Sequence, residues 1–266
     1  MNGNVPVFSP DLAYSNHGYN ASFFELFAAQ EINHFWFRVR NDLIIWAFRK
    51  YGKTISSFME IGCGTGFVLQ GIARSFPHVN LVGSEIYPEG INFTAARLHG
   101  RANFLQMDAR HIPFDAEFEA VGAFDLIEHI EDDHAVLQQI HKALKHKGLL
   151  FITVPQHRWL WSPVDTNACH VRRYSKRELH EKLAMAGFTI LRSTSFVSSL
   201  LPFMLISRLF KRVRNTQTSE LQTELNINPI LNRAFEVLLR IEIGLIKKGI
   251  SLPFGGSRLI VATKIE

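Results

Sequence analysis

Short apolar runs alternate along the chain with segments in which apolar residues recur at helical spacing. The runs that predict β-strands are residues 55–61, 79–85, 102–109, 120–124, 147–155, 188–196 and 257–264. Helical segments separate most of them. One begins at Phe67, and another is capped by Ser175, with Glu178 completing a capping-box pattern. This alternation predicts an α/β domain.

Glycine occupies every second position directly after the first predicted strand, at Gly62, Gly64 and Gly66. Glycine is favoured where the backbone takes positive φ angles and where a ligand must come close to the main chain. The helix that starts at Phe67 directs its free N–H groups at the same place. Strand, glycine loop and helix together predict a ligand site at this end of the strand.

A dinucleotide site is the nearest alternative for this glycine loop. Its fingerprint needs a glycine where this chain has Phe67, so the dinucleotide pattern fails. Glu60 stands just before the loop and suits a ligand with a positive group better than a pyrophosphate. Residues 60–66, with the sequence Glu-Ile-Gly-Cys-Gly-Thr-Gly, resemble motif I of the class I S-adenosylmethionine-dependent methyltransferases.

The resemblance to this family covers residues 54–196 and 257–264. It implies an α/β fold with a doubly wound, Rossmann-like methyltransferase sheet in the strand order 3-2-1-4-5-7-6, strand 7 being antiparallel. It also implies S-adenosyl-L-methionine as the cofactor and S-adenosyl-L-homocysteine as the product. Cofactor contacts around the loop are expected from Glu60, Gly62, Cys63, Gly64 and Gly66.

The second and third predicted strands also end in acids, Glu85 and Asp108. In a parallel sheet these ends lie beside the glycine loop, where a carboxylate can accept hydrogen bonds from ribose hydroxyls. By the resemblance, Glu85 binds the ribose and Ile86 flanks the adenine. Asp108 accepts from the adenine amine, and the Ala109 N–H donates to a ring nitrogen. Phe124, which ends the fourth strand, is a further expected cofactor contact.

The N-terminal part divides into two stretches. Residues 1–20 are rich in Asn, Ser, Pro and Gly and are expected to be loosely ordered. Residues 22–47 predict two helices, the second of which carries Trp36 and Arg40. These helices either pack as structure or form a lid in which Arg40 pairs with a carboxylate over the cofactor. Similar Phe-Trp-Phe-x-x-Arg segments precede motif I in bacterial relatives of the ubiquinone-biosynthesis O-methyltransferases.

A histidine follows the fourth predicted strand, where the resembled family often has one. An imidazole with a pKa of ~6.5 can take a proton from an acceptor hydroxyl at neutral pH, so His129 is the expected catalytic base and His170 the reserve. A structural histidine is the alternative. A metal site at Glu128, His129, Asp132 and His134 is disfavoured, because Asp132 fits a helix cap and the four side chains cannot face one point.

The segment at 156–175 is too polar for a core and too aromatic for an ordinary linker. It follows the fifth strand at the end where open α/β sheets place substrates. Its Trp and Arg side chains suit an anionic or ring-bearing acceptor, although the Trp rings could instead roof the domain. The resemblance adds His170 and Tyr174. The expected substrate contacts are Trp36, Trp161, Arg172 and Tyr174.

An insertion occupies residues 197–256, where the family has a short hairpin before strand seven. It predicts an apolar helix at 197–210, a basic cluster at 211–214 and an amphipathic helix at 229–249. The first helix is too short to cross a bilayer. The insertion is either a cap that rests on a membrane surface, with peripheral contact through 197–214, or a pair of helices that pack on each other or on a second subunit.

The 266 residues, 47% of them apolar, suffice for one α/β domain with additions. A helical lid at 1–53, a core at 54–196 and 257–266 and a cap at 197–256 are expected. The cysteines, Cys63 and Cys169, suggest a reducing cytoplasm. The net charge of +5 permits anionic partners, but Lys and Arg are too dispersed to favour nucleic acid.

These features predict a methyltransferase that moves a methyl group from S-adenosylmethionine to a hydroxyl, or with less support an amine. The acceptor is expected to be a small or lipid-linked molecule, with no metal. A non-catalytic protein that keeps the fold and a nucleotide-dependent oxidoreductase are the alternatives.

Overall fold

The computed structural model describes residues 5–13, 22–206 and 226–265. The strands are β1 (Ser57–Ile61), β2 (Asn80–Glu85), β3 (Asn103–Gln106), β4 (Phe118–Phe124), β5 (Leu144–Pro155), β6 (Phe188–Phe196) and β7 (Ser257–Lys264). The helices are α1 (Pro10–Ala13), α2 (Ser22–Gln30), α3 (Phe35–Tyr51), α4 (Phe67–Ser75), α5 (Pro88–Leu98), α6 (Asp133–Ala143), α7 (Pro163–Asn167), α8 (Lys176–Met185) and α9 (Pro229–Lys247). Residues 201–206 are also helical.

The strands form one seven-stranded sheet in the order β3-β2-β1-β4-β5-β7-β6, which confirms the predicted topology. Strands β1 to β5 pair in parallel, and β7 lies antiparallel between β5 and β6. Strand β5 begins at Leu144 rather than at Lys147, because Leu144 pairs with Phe118 ahead of an irregularity in the β4–β5 register. The carboxyl ends of the parallel strands therefore meet at one edge of the sheet.

The sheet is buried on both faces. Phe58 on β1 contributes to one hydrophobic core together with α3, α4 and α9, whereas its neighbour Met59 contributes to a second core with α6 and α8. Successive strand residues point to opposite faces, so a strand covered on both sides must be apolar throughout. This requirement explains why the central strands appear in the sequence as continuous apolar runs.

Helix α9 of the insertion packs along α3 of the N-terminal region. The side chain of Asn232 accepts from the Phe35 backbone N–H at 2.9 Å, and the rings of Phe35 and Phe235 lie 5.5 Å apart. Arg38 pairs with the buried Glu236 at 3.1 Å. The outer side of α3 is therefore a packing surface, as one of the two interpretations of the N-terminal helices expects.

The start of the described chain lies along the edge strand β3. The Phe8 N–H donates to the Gln106 carbonyl at 2.8 Å, and the Gln106 N–H donates to the Pro6 carbonyl at 2.9 Å. The Gln106 side chain also bonds with the backbone of Ser9 in both directions. The expectation of loose order at residues 1–20 is therefore wrong for residues 5–9, because the edge strand supplies their backbone partners.

Parts of the predicted insertion lie outside the described residues. These are the basic cluster at 211–214, the end of the apolar helix beyond residue 206, and most of the polar link before α9. Within the described part of the chain, no helix has both the length and the apolar character that crossing a bilayer requires.

Two expected pocket residues, Arg172 and Tyr174, contact Asp133 at the start of α6 and do not line the cleft at the carboxyl ends of the strands. The Tyr174 hydroxyl donates to Asp133 at 2.6 Å and is fully buried, and Arg172 pairs with the same carboxyl group at 2.6 Å. The prediction that they contact the substrate is therefore wrong. Side chains alternate in extended chain, so when Tyr174 faces Asp133, Arg172 does too, while Arg173 faces the other way.

The Tyr174→Phe variant should lose about 1–2 kcal/mol of unfolding free energy, because the Asp133 carboxyl loses a buried donor. Urea denaturation measures this loss. The affinity of the variant for ligands of the cleft should remain unchanged. Tyr51→Phe is the matched control, since the Tyr51 hydroxyl makes no hydrogen bond within the described residues, and it should change little. If Tyr174→Phe weakened ligand binding without changing stability, Tyr174 would instead be a residue of the binding pocket.

Candidate active site

A cleft of about 2000 Å³ opens at the carboxyl ends of the parallel strands. The glycine loop forms its floor, residues from α2 and α3 cover it, and residues 158–173 form one wall. The cleft walls include the sequence-predicted residues Trp36, Arg40, Glu60, Gly62, Cys63, Gly64, Glu85, Ile86, Asp108, Ala109, Phe124, His129, Trp161 and His170. Gly66 belongs to the loop but lies behind the lining.

All three loop glycines have positive φ angles, of 66° at Gly62, 55° at Gly64 and 76° at Gly66. A Cβ added at Gly62 or Gly66 would lie within 2.7 Å of Leu126 or 2.6 Å of Thr94, so these glycines fit against protein. A Cβ at Gly64 would meet nothing within 4 Å. The middle glycine thus leaves open space in the cleft that a ligand can fill.

Glu85 fastens the loop to the next strand. Its carboxyl group accepts from the Gly64 N–H at 3.0 Å, from the Ile86 N–H at 2.8 Å and from the Tyr87 N–H at 3.3 Å. Burial raises the pKa of Glu85, while these backbone donors oppose the rise. The acid at the end of β2 therefore shapes the loop in addition to lining the cleft.

Glu60, at the end of β1, is buried and carries an unsatisfied oxygen. Its Oε2 atom has no hydrogen-bond partner among the described residues. Burial raises its pKa to about 8; Arg40 opposes the rise, and the nearby Glu31 and Glu85 add to it. The group is therefore mostly neutral at pH 7, and a cation placed beside it would favour its ionised form.

Asp108 follows β3, and its carboxylate is hydrogen-bonded by Arg110, two residues further along the chain. The Arg110 guanidinium binds both carboxylate oxygens, and the Asp108 N–H donates to the hydroxyl of Ser9 at 3.1 Å. Burial would raise the pKa of Asp108, but the hydrogen bonds from Arg110 outweigh it and the pKa is lowered. Sequence reasoning missed Ser9, because nothing local shows that the N-terminal segment reaches β3.

Arg40 reaches into the cleft from α3. It pairs with Asp125 at 2.5 Å, and its guanidinium lies 5.1 Å from the ring centroid of Trp36. Asp125 directly follows Phe124 and has a φ of 52°, a left-handed conformation that is uncommon outside glycine and often found at functional sites. The carboxylate that Arg40 meets thus belongs to the protein itself.

Glu31 is a buried acid that sequence reasoning missed. It lies just after α2, accepts from the Thr65 hydroxyl of the glycine loop and pairs with Arg97 at 2.7 Å. Its position between the N-terminal helices and the loop depends on contacts across the chain, which no local pattern reveals.

Two histidine rings meet on the far wall of the cleft. His129 and His170 lie 4.7 Å apart between ring centroids, nearly perpendicular to each other. Burial, with His170 contributing, lowers the pKa of His129 to about 4. The pKa of ~6.5 expected for His129 is therefore too high: the residue is half-buried in the cleft wall, and its lowered pKa keeps the ring neutral at neutral pH.

His170 is held by a buried aspartate. Its Nδ1 atom lies 2.9 Å from Asp165, which also accepts from Arg173 at 2.7 Å and from the Ser162 N–H at 2.8 Å. Burial would raise the pKa of Asp165, but the hydrogen bonds with His170 and Arg173 outweigh it, and the pKa falls to about 2. Asp165 is an ionised acceptor, so it fixes the Nδ1–H tautomer of His170.

Glu128 completes this wall. Burial raises its pKa well above the ordinary range, nearby Asp125 adds to the rise, and neither carboxyl oxygen has a hydrogen-bond partner among the described residues. Atoms of Glu128, His129 and His170 that could bind a metal lie within 4.8 Å of one another. This grouping differs from the rejected set that contained Asp132 and His134; the Asp132 side chain caps α6, as predicted.

The comparisons with known proteins agree with this architecture. Residues 28–193 match the family model described as a methyltransferase domain. A ubiquinone biosynthesis O-methyltransferase from Xylella fastidiosa is 30% identical over 102 residues, or 36% of this chain and 40% of that protein. A candidate S-adenosylmethionine-dependent methyltransferase of Mycolicibacterium smegmatis is 29% identical over 170 residues, 59% of this chain and 60% of that one. Both matches span less than two thirds of the relative's length.

Solved structures share the fold at low identity. A candidate sarcosine dimethylglycine methyltransferase from Galdieria sulphuraria gives a TM-score of 0.60 at 16% identity over 85% of each chain. Phosphoethanolamine N-methyltransferase 2 of Haemonchus contortus, in complex with S-adenosylmethionine, gives a TM-score of 0.52 at 16% identity. That match covers 79% of this chain and 49% of that one. The [4+2]-cyclase SpnF gives a TM-score of 0.53 at 17% identity, over 95% of this chain and 86% of that one.

The chain therefore belongs to the class I S-adenosylmethionine-dependent methyltransferases, within the family of methyltransferase domains. The cofactor of this family is S-adenosylmethionine. Its sulfonium and ammonium groups are cations, and two observations fit such a ligand: the unpartnered oxygen of Glu60 and the open space at Gly64.

The affinity for S-adenosylmethionine should rise with pH up to about 8, the pKa of Glu60, and level off above it. Below that pKa Glu60 is protonated, so a cation that favours the ionised form must expel the proton, at a cost of up to roughly tenfold in affinity per pH unit. Calorimetry across this pH range measures the effect. Glu60→Gln is the matched neutral control and should abolish the Glu60-dependent part of the slope; parallel curves for both proteins would contradict the role of Glu60.

Proposed function

We propose that this protein transfers the methyl group of S-adenosylmethionine to a hydroxyl of a small acceptor that carries an apolar portion. The observation that carries the proposal is the 2.9 Å contact between His170 and the buried Asp165 on the cleft wall. The name of the Xylella fastidiosa relative, a ubiquinone biosynthesis O-methyltransferase, supports oxygen as the acceptor atom.

His170 is the group best suited to take the acceptor's proton. Asp165 accepts from Nδ1–H, which leaves Nε2 with its lone pair, and the ionised aspartate stabilises the imidazolium that forms on proton transfer. When bound, S-adenosylmethionine supplies an activated methyl group on a sulfonium that already carries the positive charge. Orientation then provides most of the rate, and the base adds a smaller factor.

His129 suits a different role. With a pKa of about 4 its ring is a weak base at neutral pH, but a neutral imidazole can still donate or accept one hydrogen bond. The order of the two histidines expected from the sequence is thereby reversed. His129 would orient the acceptor or His170, to which its ring is nearly perpendicular.

The apolar portion of the acceptor has a matching wall. The cleft continues between α3 and the insertion, where its lining is aliphatic and aromatic. The residues in this arm include Phe35, Val197, Leu200, Phe203, Met204 and Phe235. Burying an apolar group there contributes roughly 25 cal/mol for each Å² removed from water.

An amine acceptor is the second candidate, favoured by one observation. Both oxygens of the buried Glu128 lack hydrogen-bond partners among the described residues, and a carboxyl group in that state suits an ammonium ion. A panel of alkylated phenols, catechols and amines, assayed with radiolabelled S-adenosylmethionine, separates the two acceptor classes.

On a hydroxyl acceptor, His170→Asn should lower kcat by roughly two decades, because the general base is lost while binding of S-adenosylmethionine is kept. Asp165→Asn should lower kcat by at least tenfold, since the tautomer is no longer fixed. His129→Asn should cost less than His170→Asn. His141→Asn, at a position outside the cleft, controls for loss of a histidine, and thermal denaturation of each variant checks folding.

Two outcomes of this assay would contradict the base. Full activity of the His170→Asn variant would show that His170 is not the general base. Activity that is lost with a chelator and restored by a divalent cation would indicate that Glu128, His129 and His170 hold a metal, so that His170 acts as a ligand rather than as a base.

A further inference from the structure

We propose that the protein docks on the surface of an anionic phospholipid bilayer through the apolar rim of its cleft. The rim face is defined as the outer side of α9, residues 203–206, Phe254 and Trp159. Docking goes beyond methyl transfer, and its failure would leave binding of S-adenosylmethionine and transfer to a soluble acceptor unchanged.

The outer side of α9 is an exposed apolar stripe. Ile230, Val237, Ile241 and Leu245 recur at helical spacing, with 79% of Ile230 and 60% of Ile241 exposed to solvent. The inner side of the same helix buries Leu239, Ile243 and Ile246 in the core. A helix that is apolar on both sides is expected to be covered on both sides, and the described residues leave its outer side open.

The stripe continues into the helical segment 201–206. Phe203, Leu205 and Ile206 are all exposed, and the ring of Phe203 lies 5.5 Å from that of Phe235 on α9. Phe235 itself packs inward on Phe35, so the contact places the 201–206 segment directly beside α9. An exposed apolar area that spans two elements is the kind of surface that marks an interaction site.

Aromatic side chains extend the surface along the sheet edge. Phe254, 61% exposed, stacks on His157 at 5.8 Å, and His157 stacks on Trp159, which is 55% exposed, at 5.1 Å. The Ser198 hydroxyl donates to the Phe254 carbonyl, which fixes this group beside the start of the 201–206 segment. Aromatic rings at such a boundary are common where a protein meets lipid headgroups.

The cleft opens on this face. Phe203, Leu205 and Trp159 belong both to the exposed rim and to the cleft lining. An acceptor with an apolar portion could therefore pass from a bilayer into the cleft without crossing water. This continuity between rim and cleft explains why the apolar side chains are exposed at this particular edge.

The charges of α9 favour an anionic surface. Its acids, Glu236 and Glu242, are buried: Glu236 pairs with Arg38 and Arg240, and Glu242 accepts from Ser198 and Ser199. The exposed charged residues at positions 229–248 are all basic: Arg233, Arg240, Lys247 and Lys248. Arg240 pairs with Asp42 of α3 and with Glu236, so Arg233, Lys247 and Lys248 supply the charge that can face headgroups. Basic side chains beside an apolar stripe suit anionic headgroups, whereas a second copy would bring like charges together.

Flotation with lipid vesicles tests the proposal. The full-length protein should float with vesicles of phosphatidylglycerol and phosphatidylcholine at low salt and bind less to pure phosphatidylcholine or at high salt. Ile241→Asp should lower binding to the anionic vesicles by about tenfold or more, since a charge replaces a side chain that enters the headgroup region. Binding of S-adenosylmethionine by this variant should remain unchanged.

Met185→Asp is the matched control. Met185 is 74% exposed at the end of α8, next to the start of β6, at the sheet edge opposite the cleft. Its replacement should not change flotation. Absence of wild-type flotation would overturn the proposal, and so would equal flotation of wild type and Ile241→Asp. A vesicle-free dimer in sedimentation velocity that Ile241→Asp dissociates would assign the face to a second copy instead.

Discussion

The crowding of buried carboxyl groups at one sheet edge is the constraint on which the rest of the structure depends. Glu60, Glu85 and Glu128 all have raised pKa values, with burial as the largest cause. Each ionised carboxylate in such a place needs donors or a cation. Backbone N–H groups serve Glu85 and Arg40 serves Asp125. Glu60 and Glu128 keep unpartnered oxygens among the described residues, so this edge is prepared for a cationic ligand.

The position of α3, which covers the cleft, follows from the same constraint. Arg40 fixes the inner side of α3 to Asp125, and the outer side of α3 receives α9 through Asn232 and Glu236. A helix held on both sides cannot move independently of the insertion that packs on it. The interpretations of α3 as a packing helix and as a cover for the cleft are therefore compatible. The apolar arm of the cleft is lined by residues of α3, α9 and the 201–206 segment, among them Phe35, Phe235 and Phe203.

The strands were predictable from the sequence because their determinants are local, whereas their order in the sheet was expected from the resemblance in motif I. Strands buried on both faces appear as apolar runs, and Glu60 and Glu85 stand next to the loop that they shape. The prediction for Arg172 and Tyr174 failed because side chains alternate in the extended chain that bridges Gln156 to Tyr174, and one step along it reverses the side on which a residue lies. The low pKa of His129 comes from burial by distant segments. The Ser9–Asp108 contact joins residues 99 positions apart along the chain, beyond any motif.

The choice of acceptor depends on the cleft wall formed by residues 158–173 rather than on the fold. Structures with this fold include an N-methyltransferase and a cyclase, so the sheet and its glycine loop leave the acceptor open. The differences must arise where the acceptor lies, and here that wall comes from the 3₁₀ turn at Arg158–Leu160, α7 and the chain that follows α7. Asp165 lies within α7, fully buried, and it ties together His170, Arg173 and Ser162. One buried carboxylate thus sets the tautomer of the proposed base and the shape of the wall at once, which couples the chemistry of the acceptor to the folding of this loop.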